Sequence, residues 1–297
     1  MDKFVMERSG VTVTNVCNLD CARCASYIPY HKKPVFVSVE KLTEYIEKYF
    51  SIVDFVKKFI ITGGEPLLHP EIEKIVDVLL KYESQIGDLQ IISNGTKVPN
   101  EKLISSFSQF KDKANFLIDN YGAGISVAIK DIDETLSKTN IRYVIRENNS
   151  EKSHCGGWID LGDLTEKRCV TKEEAVKVYN MCAYAQKLNF CFVMSVDGIM
   201  NPCPPSKRCR ELGSIEDNYD EYIDLLDESL TIEEQREKIN RIYNFDSLSA
   251  CAFCNGLNDY SERFVPGVQL TKEEKECVKL GANQYCEVRR MLEKNGL

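Results

Sequence analysis

Short runs of apolar and β-branched residues alternate with amphipathic stretches of helical period over the first half of the chain, a pattern that predicts βα units and a parallel sheet. Strands are expected near Val11 to Thr14, Phe59 to Thr62, Leu89 to Ser93, Asn115 to Ile118 and Ile141 to Ile145. Between them Ser38 caps a run with apolar residues at Leu42, Ile46 and Phe50, and Pro70-Glu71 opens another carrying Ile72, Ile75, Val76 and Leu79. The simplest closure is an α/β fold, a partial (β/α)6 barrel of the TIM type. In such barrels reactive groups gather at the C-terminal ends of the strands. The chain places a cysteine loop after the first strand, Gly63-Gly64-Glu65-Pro66 after the second, Ser93-Asn94-Gly95 after the third and Asp119-Asn120-Tyr121 after the fourth.

From about residue 150 the pattern changes. Asn148 to Ser153 reads as a loop, followed by Cys155-Gly156-Gly157-Trp158. Farther on, Cys191 to Val196 and Ile199 to Asn201 flank Asp197-Gly198, a hairpin signal that calls for a type I′ turn. Two acidic helices, about Asn218 to Leu226 and Thr231 to Tyr243, and a closing helix from Thr271 complete the pattern. The expected organisation is a barrel at 1–155, a connecting segment at 156–180, a small unit of hairpin and helices at 181–260, and a C-terminal helix at 261–297.

Charge narrows the function classes. Lys and Arg number 38 against 46 Asp and Glu, a net charge of -8 with no basic arm, which argues against nucleic-acid or membrane partners. No apolar stretch approaches the roughly 18 residues of a membrane span, and the first residues carry no signal-peptide pattern, so a cytoplasmic location is expected. There are 13 cysteines, an odd number with clustered spacings, which points to metal rather than disulfides. The three histidines show no metal spacing.

Cys17, Cys21 and Cys24, spaced C-x-x-x-C-x-x-C, can wrap a loop around one iron–sulfur cube. A [4Fe–4S] cluster normally takes four thiolates, so this trio leaves one iron open. The plainer alternatives are buried small hydrophobes or a partial zinc site. Together with Gly63-Gly64-Glu65-Pro66, the trio resembles the radical S-adenosylmethionine (SAM) superfamily. The resemblance implies that SAM chelates the open iron and that a reductant of the flavodoxin or ferredoxin type drives cleavage to methionine and a 5′-deoxyadenosyl radical. It assigns the Gly63, Gly64, Glu65 and Pro66 loop to the SAM amino group, with Glu65 a structural partner. Ser93 and Asn94 are candidates for the ribose hydroxyls, and Arg146 for the SAM carboxylate. The family usually has an aromatic residue where this chain has Arg23, whose guanidinium can stack on adenine instead.

A second set, Cys182, Cys203 and the pair Cys251 and Cys254, resembles a Twitch domain, the shortened form of the SPASM auxiliary-cluster module. Four ligands would close a second, auxiliary [4Fe–4S] cluster, although four thiolates also suit zinc and Cys191 is an alternative to Cys182. Size and cysteine layout resemble the sugar and aminocyclitol dehydrogenases and epimerases of the superfamily. Hydrogen abstraction from a carbinol carbon of a sugar or cyclitol is therefore expected. Oxidation would pass the second electron to the auxiliary cluster while a base, from Asp119, Asp160 or Arg146, takes the hydroxyl proton. Epimerisation would need a thiol that returns a hydrogen atom, from Cys155 or Cys209. The rivals are modification of a ribosomal peptide and, from another class, a non-catalytic iron–sulfur or zinc protein.

Overall fold

A computed structural model describes residues 3–149, 153–216 and 218–295. Ser150, Glu151 and Lys152 of the expected loop lie outside the described residues. The five predicted strands are present and longer than their apolar cores: β1 Val5–Thr14, β2 Phe55–Gly63, β3 Ile86–Ser93, β4 Ala114–Asn120 and β5 Arg142–Glu147. They pair in parallel, in chain order, so all their C-terminal ends share one rim. The crossover helices are α1 Val39–Ile52, α2 Ile72–Leu80, α3 Glu101–Ser108 and α4 Ile129–Leu136. Ser38 caps α1 as its sequence predicts, its hydroxyl accepting from the Lys41 amide.

Alternation along the strands decides what the sheet covers. Phe59 and Ile61 of β2, Leu89 and Ile91 of β3, and Phe116 and Ile118 of β4 are fully buried with Ile46 and Tyr49 of α1 and Ile75 and Leu79 of α2 in one core. The intervening residues Ile60, Thr62, Gln90, Ile92 and Leu117 are only partly buried, so the other face stays half open, as in an incompletely closed barrel.

The second half does not form a separate layer. After α5 Lys172–Met181 and the short α6 Ala183–Gln186, strand β6 Phe192–Met194 pairs in parallel with β1, and β7 Ile199–Asn201 and β8 Ile223–Asp224 follow antiparallel. The sheet order is β5-β4-β3-β2-β1-β6-β7-β8, so the sixth parallel strand sits beside β1, not beside β5. The hairpin forms, with a different turn from the expected type I′. Only Gly198 has positive φ, at 84°, and the Ser195 amide bonds to the Ile199 carbonyl, giving a three-residue loop with glycine in the left-handed position.

Two helical expectations fail. Residues 218–226 form a single 3-10 turn at Tyr219–Glu221 and then β8, because Tyr222, Ile223 and Leu225 are drawn into the core as an edge strand. The closing helix is two helices, α9 Lys272–Lys279 and α10 Tyr285–Asn295, separated at Gly281 with φ 113°. The predicted α8 Ile232–Tyr243 is present with a full capping box at Thr231 and Glu234, and α7 Pro204–Leu212 begins directly after Cys203. Among the described residues no helix is long and apolar enough to cross a membrane.

Phe59 is fully buried with its ring centre 5.5 Å from Tyr49 and 5.6 Å from Phe50. Phe59→Ala is expected to cost about 3–5 kcal/mol, whereas Val144→Ala on the exposed edge strand should stay within about 0.5 kcal/mol. Urea titration of both variants against the parent chain checks the contrast.

Candidate active site and cysteine clusters

The loop carrying Cys17, Cys21 and Cys24 leaves β1 through Thr14, whose hydroxyl accepts from the Val16 amide and donates to the Val35 carbonyl. Gly64 lies against it so closely that a Cβ there would fall 2.1 Å from the Val16 carbonyl oxygen. That approach lets the Gly64 amide bond to Thr14 and the Glu65 amide to Val16. Glu65 is fully buried and accepts from the Leu67 and Asn94 amides at 3.0 and 2.7 Å. Burial pushes its carboxyl up to about 7 against those hydrogen bonds. Glu65 thus ties the loop after β2 to the loop after β3.

Each of the three sulfurs has a donor. The Asn94 carboxamide points at Cys17 Sγ from 3.6 Å, Gln269 at Cys21 Sγ from 3.2 Å, and the backbone amides of Ser26, Tyr27 and Ile28 at Cys24. Desolvation nevertheless outweighs these donors, holding the Cys17 thiol at about 11 and Cys21 at about 12, with Cys24 also raised. N–H donors aimed at sulfurs that burial deprives of water suit a metal core, which would supply the positive charge that favours the thiolate. The trio fits a [4Fe–4S] cluster on these grounds. Among the described residues no three His, Cys, Asp or Glu side chains close around a single metal-ion position.

On the same rim Arg146 grips Asp119 in a bidentate pair, Nε to Oδ1 at 2.6 Å and Nη2 to Oδ2 at 2.9 Å, and Asn148 adds a third donor at 2.5 Å. With both oxygens engaged, Asp119 is a brace for Arg146 and is badly placed as a base. Tyr121 lies between this pair and the cysteine loop, within reach of charge on Cys21 and Cys24, and meets Trp158 edge to face at 5.5 Å. Cys155 is exposed, within electrostatic reach of Arg146, and holds φ 55° ahead of Gly156 and Gly157.

Three further expectations change. The Arg23 guanidinium lies 3.7 Å from the Phe264 ring centre and 4.2 Å from that of Tyr285, so its stacking capacity is used within the chain and not left for adenine. Ser93 is 2% exposed with its hydroxyl toward Glu65 and the Gly95 amide, which leaves Asn94 as the ribose candidate. Cys209 is fully buried on α7 beside Cys251, away from the barrel mouth where a returning hydrogen would be needed.

The members of the second cysteine set lie within electrostatic reach of one another. Cys203 feels the charge of Cys251, Cys254 and Cys182, and its thiol is driven up first by burial and then by those neighbours. The turn Ser249–Ala252 that presents Cys251 packs against both α5 and α7. The Cys191 thiol responds to the charges of Arg8 on β1 and Lys58 on β2, whereas Cys182 acts on Cys203, Cys251 and Cys254, which favours Cys182 in the set. Beside these sulfurs two buried hydroxyls, Tyr27 Oη and Ser206 Oγ, find no partner among the described residues. Such orphaned donors fit a group that accepts hydrogen bonds, as a cluster or a metal thiolate does.

A cavity of about 490 Å³ is lined by Asp160, Asn255, Asn258, Ser261 and Glu262 together with Met181, Tyr260, Phe264 and Cys286. Asp160 sits at its edge, 3.7 Å from Arg23 Nε, and accepts from the Gly162 amide and the Cys286 thiol. Sequence reasoning did not find Gln269, Asn148 or Phe264. Each is an isolated residue whose partner is distant along the chain, so no local spacing marks it.

Comparison with known proteins adds the following. Residues 11–152 match the radical SAM superfamily. The GTP 3′,8-cyclase of Campylobacter jejuni subsp. doylei is 36% identical over 87 residues, 29% of this chain and 26% of that enzyme. The GTP 3′,8-cyclase of Aliarcobacter butzleri is 25% identical over 174 residues, 58% of this chain and 50% of that enzyme. The chain thus matches only a quarter to a half of the length of these two curated relatives. The solved structure of BtrN in complex with AdoMet and 2-DOIA superposes with a TM-score of 0.57 at 16% identity, covering 91% of this chain and 100% of BtrN. That of anSMEcpe with bound AdoMet and a peptide gives 0.50 at 16% identity, covering 98% and 97%.

The Glu65 carboxyl, ordinarily near 4.5, sits near 7 in the fold. Between those values the folded chain keeps a proton that the unfolded chain releases, so this residue lowers stability as pH rises through the window. Relative to Glu65→Gln, the parent chain should lose about 3 kcal/mol of stability between pH 4.5 and 7.5. Urea titrations at the two pH values test this, and a constant difference would rule it out.

Proposed function

This chain carries a radical SAM domain at residues 11–152, and from that premise we propose that it abstracts a hydrogen atom from a carbinol carbon of a sugar or cyclitol, leading to oxidation or epimerisation. A [4Fe–4S] cluster on Cys17, Cys21 and Cys24 with SAM on its open iron would supply the reductive cleavage that yields the 5′-deoxyadenosyl radical. The chain's own residues would hold the cofactor on the rim. Gly63 and Gly64 keep the backbone close to the cysteine loop, Asn94 stands beside Cys17, and the part of Arg146 not engaged by Asp119 is available to a carboxylate.

The observation that carries the substrate reading is the mixed lining of the 490 Å³ cavity, where Asp160, Asn255, Asn258, Ser261 and Glu262 stand among Met181, Tyr260, Phe264 and Cys286. The carboxamides, carboxylates and hydroxyls offer partners to the hydroxyls of a sugar or cyclitol, and the apolar side chains offer a surface to its C–H faces, the mixed make-up usual for a small-ligand site. Hydroxyl-rich molecules match such a lining. Full-length likeness in fold to BtrN, solved with AdoMet and 2-DOIA, supports the same direction. Asp160, which lines the cavity and meets Arg23 only at 3.7 Å, whereas Asp119 is gripped at both oxygens by Arg146, is the base we assign to the oxidative branch, and Cys155, exposed at the barrel mouth, the thiol of the epimerising branch. We assign Cys182, Cys203, Cys251 and Cys254 to an auxiliary [4Fe–4S] cluster, and the electron source to a flavodoxin- or ferredoxin-type reductant in the cytoplasm. A second reading, modification of a peptide, is favoured by the equally extensive fold likeness to peptide-bound anSMEcpe.

Anaerobic reconstitution should give about eight irons per chain, two cubes of four, and 5′-deoxyadenosine on addition of SAM and dithionite. Replacing Cys17, Cys21 and Cys24 together by Ala should halve the iron and abolish deoxyadenosine. Replacing Cys203, Cys251 and Cys254 should halve the iron and spare deoxyadenosine formation. Stoichiometric zinc in place of iron would reject the radical reading in favour of a structural metal protein. With a sugar or cyclitol substrate in hand, Cys155→Ala should lower solvent-deuterium incorporation into an epimerised product at least tenfold, and undiminished incorporation would remove Cys155 from the mechanism.

A further inference from the structure

After the Cys251 to Cys254 turn the chain doubles back over the barrel rim. Phe264 exchanges backbone hydrogen bonds with Trp158 at 2.7 and 2.8 Å. Gly267 follows with φ 71°, and a Cβ there would fall 2.6 Å from the Tyr121 ring. The strap then pairs with the cysteine loop itself, the Ala22 amide bonding to the Val268 carbonyl and the Leu270 amide to the Asp20 carbonyl, both at 2.8 Å. Gln269 is the residue opposite Cys21 in this antiparallel bridge.

The Gln269 carboxamide is used at both ends. Its Oε1 accepts from the Asp20 amide at 2.7 Å, which fixes the orientation of the group. Its Nε2 then points one hydrogen at the Gly267 carbonyl, at 2.6 Å, and the other at Cys21 Sγ, at 3.2 Å. An N–H directed at a ligand sulfur withdraws charge from an iron–sulfur core and favours its reduced, more negative state. Asn94 makes the longer contact to Cys17 from within the barrel, but Gln269 reaches Cys21 from 248 residues away.

We infer that Gln269 is a positioning residue that sets the reduction potential of the cluster held by Cys17, Cys21 and Cys24, so that the C-terminal strap and not the barrel alone tunes the ease of the one-electron reduction by the external reductant. This rests on the reading of those three cysteines as cluster ligands. The side chain touches neither substrate nor the open iron in this assignment. It acts through Cys21.

The test is an EPR-monitored redox titration of the reconstituted full chain and its Gln269→Leu variant, followed through the signal that changes when SAM is added, which separates this cluster from any other. Loss of the N–H···S bond should reduce the ratio of reduced to oxidised cluster at fixed potential about tenfold, a downward shift of ~59 mV. Full iron content with an unchanged potential overturns the inference. If Gln269→Leu fails to retain iron, Gln269→Glu, which keeps the acceptor for the Asp20 amide and removes the donor to Cys21, takes its place, and a potential equal to that of the parent chain again overturns it. A parent chain that binds no iron and shows no SAM-sensitive signal refutes instead the ligand reading on which the inference rests.

Discussion

β1 is hydrogen-bonded on both edges, to β2 along its length and to β6 near its middle, and every part of the candidate site is positioned from it. Its C-terminal end launches the loop of Cys17, Cys21 and Cys24. Its first edge fixes β2, so that Gly63 and Gly64 meet that loop at carbonyl contact distance. Its second edge recruits β6 and the hairpin that leads to Cys203. A parallel strand buried on both sides cannot slip register without exposing a row of unpaired backbone groups and moving its apolar residues off the core. The two cysteine sets, far apart in the chain, thus hang from one rigid element.

Burial then sets the chemistry. The rim and the region behind it collect thiols whose desolvation disfavours the thiolate, including Cys17, Cys21, Cys203 and Cys251. Among them stand oriented N–H groups and two hydroxyls without a partner among the described residues. A bare chain would gain little from this arrangement, since buried polar groups without partners are costly. A metal core would supply the missing charge and the missing acceptors together. The same logic explains why polar side chains such as Glu65, Asn94 and Gln269 cluster beside the loop, where each orients the next.

Much of this was legible in one dimension. The spacing of Cys17, Cys21 and Cys24, the glycine pair before Glu65 and the alternation of strands and helices are local patterns, and the structure reproduces them with strand ends extended by a few residues. The failures share one physical origin. The stacking capacity of a guanidinium points Arg23 at adenine, but Phe264 and Tyr285 come from the far end of the chain to stack on it. Ser93 was placed by its position after a strand, but Glu65 draws its hydroxyl inward. Residues 218–226 carry a helix-compatible composition, yet the free edge of β7 captures Ile223 as a strand.

The sequence by itself determined the strands, their polarity, and the loops that carry the chemistry, because hydrophobic period, glycine freedom and cysteine spacing are encoded over a few residues. It also determined that two thiol sets exist. Tertiary structure alone decided which residues face one another: that Cys182 lies within electrostatic reach of Cys203, Cys251 and Cys254, that Asp119 is held by Arg146, and that Gln269 reaches Cys21. Those outcomes depend on pairing between segments separated by tens to hundreds of residues. Only the register of the sheet and the path of the strap bring such partners within a hydrogen bond of each other.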